Sequence, residues 1–159
     1  SLWESVSDEW ICPACDRSKQ QILRKVDGVF KGGLHKHHDH SVDDPERYTD
    51  KVKFKEVLIC DQCNHADGLV KKKYPGILPD TFSFEPKHMR DFIVAKPNKS
   101  HKINFMKALE LYFSIIDISL KKFTRMWRKD KGEDVDTFVI HSTYKRLIRN
   151  GTKPSTFFH

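Results

Sequence analysis

The sequence predicts an α+β fold, in which a zinc-stapled module of two strands and a helix precedes a mainly helical C-terminal region. Three observations predict it. The four cysteines form two Cys-x-x-Cys pairs, an apolar run ends at the second pair, and apolar residues recur at helical spacing after residue 100. A chain of 159 residues suffices for one ordinary domain, or for a small zinc module with a helical extension.

The cysteine pairs indicate a metal site, because no thiol is left over for another role. A two-residue gap lets two thiolates converge on one ion, and a second pair completes a tetrahedral zinc site without an open position. A redox pair, a disulfide or an iron–sulfur cluster is the alternative. Structural zinc contributes on the order of 10 kcal/mol to folding, so we expect metal removal to unfold the first half. The expected Zn²⁺ ligands are Cys12, Cys15, Cys60 and Cys63.

Two strands and a helix are predicted around the second cysteine pair. Residues 34–38 and 54–59 read as strands, the second because it is an apolar run that leads into Cys60. A helix is predicted from Asp61 to about Lys73, before Pro75-Gly76. We divide the chain into a zinc module at 1–76, a proline-containing linker with at most one short helix at 77–100, and a basic helical region at 101–159.

The C-terminal region is predicted to contain two helices. Apolar residues at helical spacing predict one long amphipathic helix from about His101 to Arg128. A final helix is expected over 136–149, with Asn150-Gly151 after it. The long helix carries more apolar surface than one neighbour would cover, so it is either a homodimer interface or a helix wrapped by its own chain.

Positive charge is concentrated in the same region. The formal net charge is +7, and residues 101–159 hold twice as many Lys and Arg as Asp and Glu. Such clusters suit the backbone of nucleic acid, which binds cations through counterion release. The alternative is that they are solvated helix faces. The candidate nucleic-acid-binding residues are Lys71, Lys72, Lys73, Lys121, Lys122, Arg125 and Arg128.

No membrane segment is predicted. No apolar run approaches the roughly 18 residues that a membrane helix needs, and the N-terminal residues lack the pattern of a secretory signal. We therefore expect a soluble, intracellular, cytoplasmic protein, with a bacterial or phage-like context. Because Ser1 rather than Met begins the sequence, we treat it as a trimmed chain or a piece of a larger protein.

A histidine cluster lies between the cysteine pairs, in the run 34–40. A neutral imidazole, with a pKa of about 6.5, can take a proton from water at physiological pH. A divalent cation that offsets charge on a phosphate needs oxygen or imidazole ligands and open positions. Asn64, directly after Cys63, offers an amide oxygen. This combination is typical of a metal-dependent nuclease.

The motifs resemble a known family. The first cysteine pair, the strand ending in His37-His38-Asp39-His40, and the apolar strand ending in Cys60-Asp61-Gln62-Cys63-Asn64 are similar to the HNH, or ββα-metal, endonucleases, most closely the phage endonuclease VII type. The resemblance covers about residues 12–73. It implies that His38 is the general base, that His37 and Asn64 bind a catalytic Mg²⁺ or Mn²⁺, and that the products carry a 5′-phosphate and a 3′-hydroxyl.

The sequence departs from that family at two positions. His37 stands where Asp is usual, which shifts the metal preference from Mg²⁺ towards Mn²⁺. Asp67 stands where an apolar residue is commoner, three positions after Asn64 on one helix face. We weigh two roles for Asp67, a group that supports the metal ligands and a solvated carboxylate, and favour the second. His35, Asp39 and His40 are further candidates for supporting the ligands.

Several alternatives remain open at this point. Asp39-His40 is a second Asp-His pair in the run, although we favour His37 and His38. We expect a DNA endonuclease. An RNA nuclease shares the same chemistry, and the rival class is a non-catalytic zinc module that binds nucleic acid or protein. The other histidines have no companions at ligand spacing and are expected to be ordinary polar residues: His65, His88, His101, His141 and His159.

Overall fold

The structure is a computed structural model that describes residues 1–39 and 54–158. The chain divides into two compact units, Ser1–Phe105 (unit 1) and Met106–His159 (unit 2). The described residues form a mixed α/β arrangement of six α-helices and small two-stranded sheets, as the sequence predicts in outline. In these residues, no helix has both the length and the apolar character to cross a bilayer.

Unit 1 begins with a cysteine knuckle, a short helix and a hairpin. Helix α1 (Lys19–Ile22) is capped by Ser18, whose side chain accepts the N–H of Gln21. Strands β1 (Arg24–Val26) and β2 (Val29–Lys31) pair antiparallel. Asp27 and Gly28 turn between them with φ of 51° and 80°, the left-handed conformations that a tight two-residue hairpin turn requires.

A second hairpin leads directly into the main helix of unit 1. Strands β3 (Leu34–His37) and β4 (Val57–Cys60) pair antiparallel, with Leu34 opposite Cys60 and His37 opposite Val57. Helix α2 (Asp61–Lys73) starts at the residue after β4. The predicted order of two strands followed by a helix is confirmed for the described residues, with strand ends shifted by up to three positions.

The segment 77–100 belongs to unit 1 and is not the linker that the sequence predicts. It holds α3 (Pro86–Met89), and β5 (Ile93–Val94) pairs antiparallel with β6 (Lys102–Ile103). Phe84 and Phe92 are 0% and 1% exposed, and their ring centroids lie 4.8 Å apart. Proline does interrupt regular elements here, but the apolar side chains between the prolines fill the core.

Two helices replace the single long helix that the sequence predicts. Helix α4 (Phe105–Ile116) ends before Asp117, and α5 (Leu120–Lys131) begins after Ser119. The Ser119 side chain accepts the N–H of Lys122 at 3.2 Å, which caps α5. Apolar spacing does not reveal this break, because Ile118 is buried between the helices and continues the apolar pattern.

The last helix and an aromatic cluster complete unit 2. Helix α6 (Thr137–Arg149) begins after its N-cap Asp136 and ends at Asn150, which confirms its prediction. A 3₁₀ helix, Pro154–Phe158, follows. Burial raises the pKa of Tyr144 to about 12, and its hydroxyl donates to the Ile118 carbonyl at 2.9 Å. Phe123 is fully buried, and its aromatic neighbours are Trp127, Tyr144, Phe157 and Phe158.

Replacing Ser119 by Ala tests the helix break. The substitution removes the oxygen that caps α5, so we expect the free energy of unfolding to fall by about 1 kcal/mol. Urea denaturation followed by circular dichroism measures it. Ser142→Ala, at an exposed position inside α6, is the control and should be neutral or slightly stabilising. An increase in stability for Ser119→Ala would instead indicate one continuous helix.

Candidate metal centre and adjoining pocket

The first cysteine pair lies in a tight loop. The N–H of Cys12 donates to the carbonyl of Arg17 at 2.9 Å, and the N–H of Asp16 donates back to the carbonyl of Cys12 at 2.8 Å. Asp16 adopts a left-handed φ of 61°, which an aspartate tolerates better than most residues. These bonds fold the loop so that Cys12 is fully buried and Cys15 partly exposed.

The second pair lies where β4 meets α2. Cys60 is the N-cap of α2, and its sulfur accepts the N–H of Cys63 at 3.4 Å. The N–H of Cys60 donates to the sulfur of Cys12 at 3.3 Å, which ties the two pairs together. Backbone N–H groups at a helix start favour negative charge, so this position suits thiolates.

The four sulfurs form a cluster that can hold a metal ion. All four Sγ atoms lie within 4.8 Å of one another, with 4.0 Å from Cys12 to Cys63 and 3.8 Å from Cys15 to Cys60. A tetrahedral ion with metal–sulfur bonds of about 2.3 Å separates its sulfurs by about 3.8 Å. A disulfide needs about 2.05 Å, and the four thiols are free. The spacing therefore fits one four-coordinate ion, such as zinc.

The thiols influence one another's protonation strongly. Hydrogen bonds from Cys12, then Cys60 and Cys63, hold the pKa of Cys15 far below its usual range. Hydrogen bonds to Cys12, Cys15 and Cys60 hold the pKa of Cys63 far above its usual range. Because a bound ion requires thiolates, metal binding would release the protons that the cluster otherwise shares.

Arg17 adds a positive charge at the cluster. Its side chain is 3% exposed, with Nε 3.3 Å from the sulfur of Cys15 and Nη2 3.7 Å from that of Cys60. Burial lowers the pKa of Arg17, but hydrogen bonds and charge from Cys15 and Cys60 outweigh burial and raise it. Four thiolates around a divalent ion leave two negative charges, and the guanidinium offsets part of them.

His101 also contacts the cluster, and its predicted role as an ordinary polar residue is wrong. Its Nε2 lies 3.3 Å from the sulfur of Cys63 and 4.0 Å from that of Cys60. The backbone N–H of His101 donates to Oε1 of Gln62 at 2.8 Å, which fixes His101 beside the start of α2. No spacing rule could have found it, because it lies far along the chain from the cysteines.

His37, the predicted cation ligand, lies in the core of unit 1. Its side chain is 2% exposed, Nε2 is 2.7 Å from the carbonyl oxygen of Phe84, and its ring stacks on Phe54 at 5.3 Å. The hydrogen bond occupies Nε2, so Nδ1 is the nitrogen left for an ion. His38 is half-buried and Asp39 is buried. His40, the alternative base, falls outside the described residues.

Asp67 is buried rather than solvated, so the reading that the sequence favours for it is wrong. It is 5% exposed; Oδ1 accepts the N–H of Phe84 at 3.0 Å, and Oδ2 lies 2.8 Å from Nζ of Lys71. Asp67 therefore bonds to the N–H of Phe84, and His37 bonds to its carbonyl. Lys71, a candidate for binding nucleic acid, is committed to this ion pair, while Lys72 and Lys73 are exposed.

A pocket of about 490 Å³, lined in part by His101, lies beside the cysteine cluster. Strand β3 contributes His35 to its wall, and α2 contributes Asn64 and His65. His37 and His38 are not among the described residues that line it. In the described part of the chain, the four cysteines are the one group of at least three His, Cys, Asp or Glu side chains close enough to share an ion. A cation on His37 and Asn64 stays a prediction.

The candidate basic residues of unit 2 differ in their surroundings. Lys121, Lys122 and Arg125 are exposed on α5. Arg128 instead holds the loop after its own helix: Nη1 donates to the carbonyls of Glu133 and Val135 at 2.6 and 3.2 Å. Lys121, Lys122 and Arg125 are therefore the part of the predicted cationic set in this unit that faces solvent.

Comparison with family models, with curated proteins and with solved structures found no match to this chain.

Metal content tests the cysteine cluster directly. We expect about one zinc ion per chain by elemental analysis, because four thiolates complete one tetrahedral site. Cys63→Ser should abolish stoichiometric binding, since it replaces a buried sulfur of the cluster. The Ser142→Ala variant should retain it. Full metal content in Cys63→Ser would contradict the assignment.

Replacing Arg17 by Gln tests its role at the cluster. Loss of the guanidinium removes N–H donors to two sulfurs, and we expect the metal affinity to fall by about 10- to 100-fold, as for other groups that support metal ligands. Competition with a chromogenic chelator measures it. Arg146→Gln, at an exposed position of α6, is the matched control. Equal affinities for the wild type and Arg17→Gln would refute the role.

Proposed function

We propose that the chain is a metal-dependent DNA endonuclease built on a structural zinc site. The observation that carries the proposal is the pocket beside the cysteine cluster, where β3 presents an imidazole from His35 and α2 presents the amide of Asn64. The motif resemblance also draws the site from a hairpin and the following helix, but it assigns His37 and His38 on the hairpin, which do not line this pocket. Zinc on the four cysteines would be structural, because four thiolates leave no position for substrate.

The proposed chemistry is hydrolysis of a phosphodiester. An imidazole takes one proton from a water molecule, the water oxygen bonds to phosphorus, and the bond from phosphorus to O3′ breaks. The leaving O3′ takes up a proton, which gives a 3′-hydroxyl and a 5′-phosphate. A bound Mg²⁺ or Mn²⁺ would supply charge neutralisation at the phosphate. His37 and Asn64 are its proposed ligands, with Nδ1 of His37 as the donor atom.

His38 is the proposed general base, and His35 is the alternative that the pocket favours. The motif resemblance selects His38, which is half-buried. His35 is exposed and lines the pocket together with Asn64. A base must come within hydrogen-bond reach of the attacking water, so the two histidines make distinct predictions for substitution.

A non-catalytic zinc module that binds nucleic acid is the second candidate. One observation favours it: His37, which the motif resemblance makes a cation ligand, bonds to the carbonyl of Phe84, and Asp67, which we weighed as a group supporting the ligands, accepts the N–H of Phe84. Phe84 is fully buried, so freeing these side chains would disturb the core. In this reading the imidazole of His37 has a structural role, and the protein binds nucleic acid without cleaving it.

Nicking of supercoiled plasmid in Mg²⁺ or Mn²⁺ separates the candidates. We expect cleavage by the wild type and a loss of at least 100-fold in His38→Ala, because general-base catalysis typically contributes 10² to 10⁴. His35→Ala and His40→Ala are tested in parallel. His141→Ala, on α6, is the control and should cleave at the wild-type rate.

The pattern of loss assigns the base. Loss in His35→Ala with full activity in His38→Ala would move the role to the pocket, and loss in His40→Ala alone would move it to the Asp39-His40 pair. Plasmid left intact by zinc-loaded wild type across both metals would reject the endonuclease and favour the binding module.

A further inference from the structure

A lysine-lined cleft in unit 1 lies outside the residues that the sequence marks for nucleic acid. We call it the lysine cleft; it has a volume of about 310 Å³ and is lined by Val94, Lys96, Lys99, Ser100 and Lys102. All three lysines are exposed, and no residue of the lining is acidic. Within residues 1–39 and 54–158, no carboxylate forms an ion pair with any of the three.

Hydrogen bonds from Asn98 hold the loop that carries these lysines. The N–H of Asn98 donates to the carbonyl of Gln21 at 2.7 Å. Its side-chain amide donates to the carbonyls of Gln20 and Leu23, each at 2.7 Å. Asn98 has a φ of 59°, a left-handed conformation that asparagine tolerates. The loop backbone is therefore fixed against α1 and the residue after it.

Arg17 joins the same loop to the cysteine cluster. Its Nη1 donates to the carbonyls of Lys96 and Lys99 at 3.2 and 3.0 Å, while its Nε contacts the sulfur of Cys15. The carbonyls of Lys96 and Lys99 thus bond to the buried guanidinium, and the same two residues line the cleft. Cationic groups presented by a fixed backbone lose less entropy on binding an anion than groups on a free loop do.

We infer that the lysine cleft is a binding surface for the phosphate backbone of nucleic acid. Three exposed lysines that form no ion pair with a carboxylate of the described residues line one concave site. Their positive charge is complementary to closely spaced phosphates, and each contact releases condensed counterions. The inference rests on the proposed function in taking nucleic acid as the partner. It places the main contact in unit 1, close to the cysteine cluster, and not on the exposed face of α5.

Charge reversal in two matched triple variants tests this. The first is Lys96→Glu with Lys99→Glu and Lys102→Glu, and the control is Lys121→Glu with Lys122→Glu and Arg125→Glu, which changes the net charge equally. Fluorescence anisotropy with a labelled DNA duplex, without added Mg²⁺ or Mn²⁺, measures affinity across a salt series. Zinc content and circular dichroism establish that both variants are folded.

We expect the cleft variant to bind at least tenfold more weakly than the control variant. The slope of log affinity against log salt should be smaller in magnitude than that of the wild type by about 2 to 3. Each of the three lost phosphate contacts contributes about 0.9 to that magnitude. An equal or larger loss in the control variant would overturn the inference. So would wild-type protein that binds anionic phospholipid vesicles but not DNA.

The outcomes separate this inference from the proposed function. Wild-type protein that binds DNA through the cleft but nicks no plasmid would sustain the inference and reject the endonuclease. Wild-type protein that binds no DNA at low salt would overturn the inference and also the binding that both candidate functions require. Nicking that persists at the wild-type rate in the cleft variant, with unchanged DNA affinity, would overturn the inference alone.

Discussion

The convergence of four cysteine sulfurs on one position is the constraint on which unit 1 depends. It joins the knuckle at Cys12 to the junction of β4 and α2, two segments that regular hydrogen bonding alone does not pair. The same position orders Arg17 and His101, which contact the sulfurs from other parts of the chain. In the described part of unit 1 the sheets have only two strands each, and such small sheets need further interactions to be stable.

Packing in unit 1 uses side chains whose residue types also suit a metal site. His37 and Asp67 hold the Phe84 segment by direct hydrogen bonds, although their residue types and spacing also suit a cation site. His35 and Asn64 face a pocket instead. Exposure therefore separates His37 and Asp67, which are buried and stabilise the core, from His35 and Asn64, which line the pocket.

Local patterns in the sequence were sufficient for some features and not for others. The cysteine spacing, the strand leading into Cys60 and the helix after it were predictable, because each depends on neighbours along the chain. The break at Ser119 was missed because apolar periodicity does not register a capping side chain. The core role of 77–100, the position of His101 and the lysine cleft depend on contacts between distant segments, which a single sequence does not encode as spacing.

Amide hydrogen exchange with and without a chelator tests most directly whether the metal centre holds unit 1 together. The N–H groups of Asn98 and Asp61, bonded to Gln21 and Gly33, report on unit 1, and those inside α6 report on unit 2. We expect metal removal to abolish protection at Asn98 and Asp61 and to leave α6 protected. Unchanged protection at both unit 1 amides after complete removal of the metal would contradict the account.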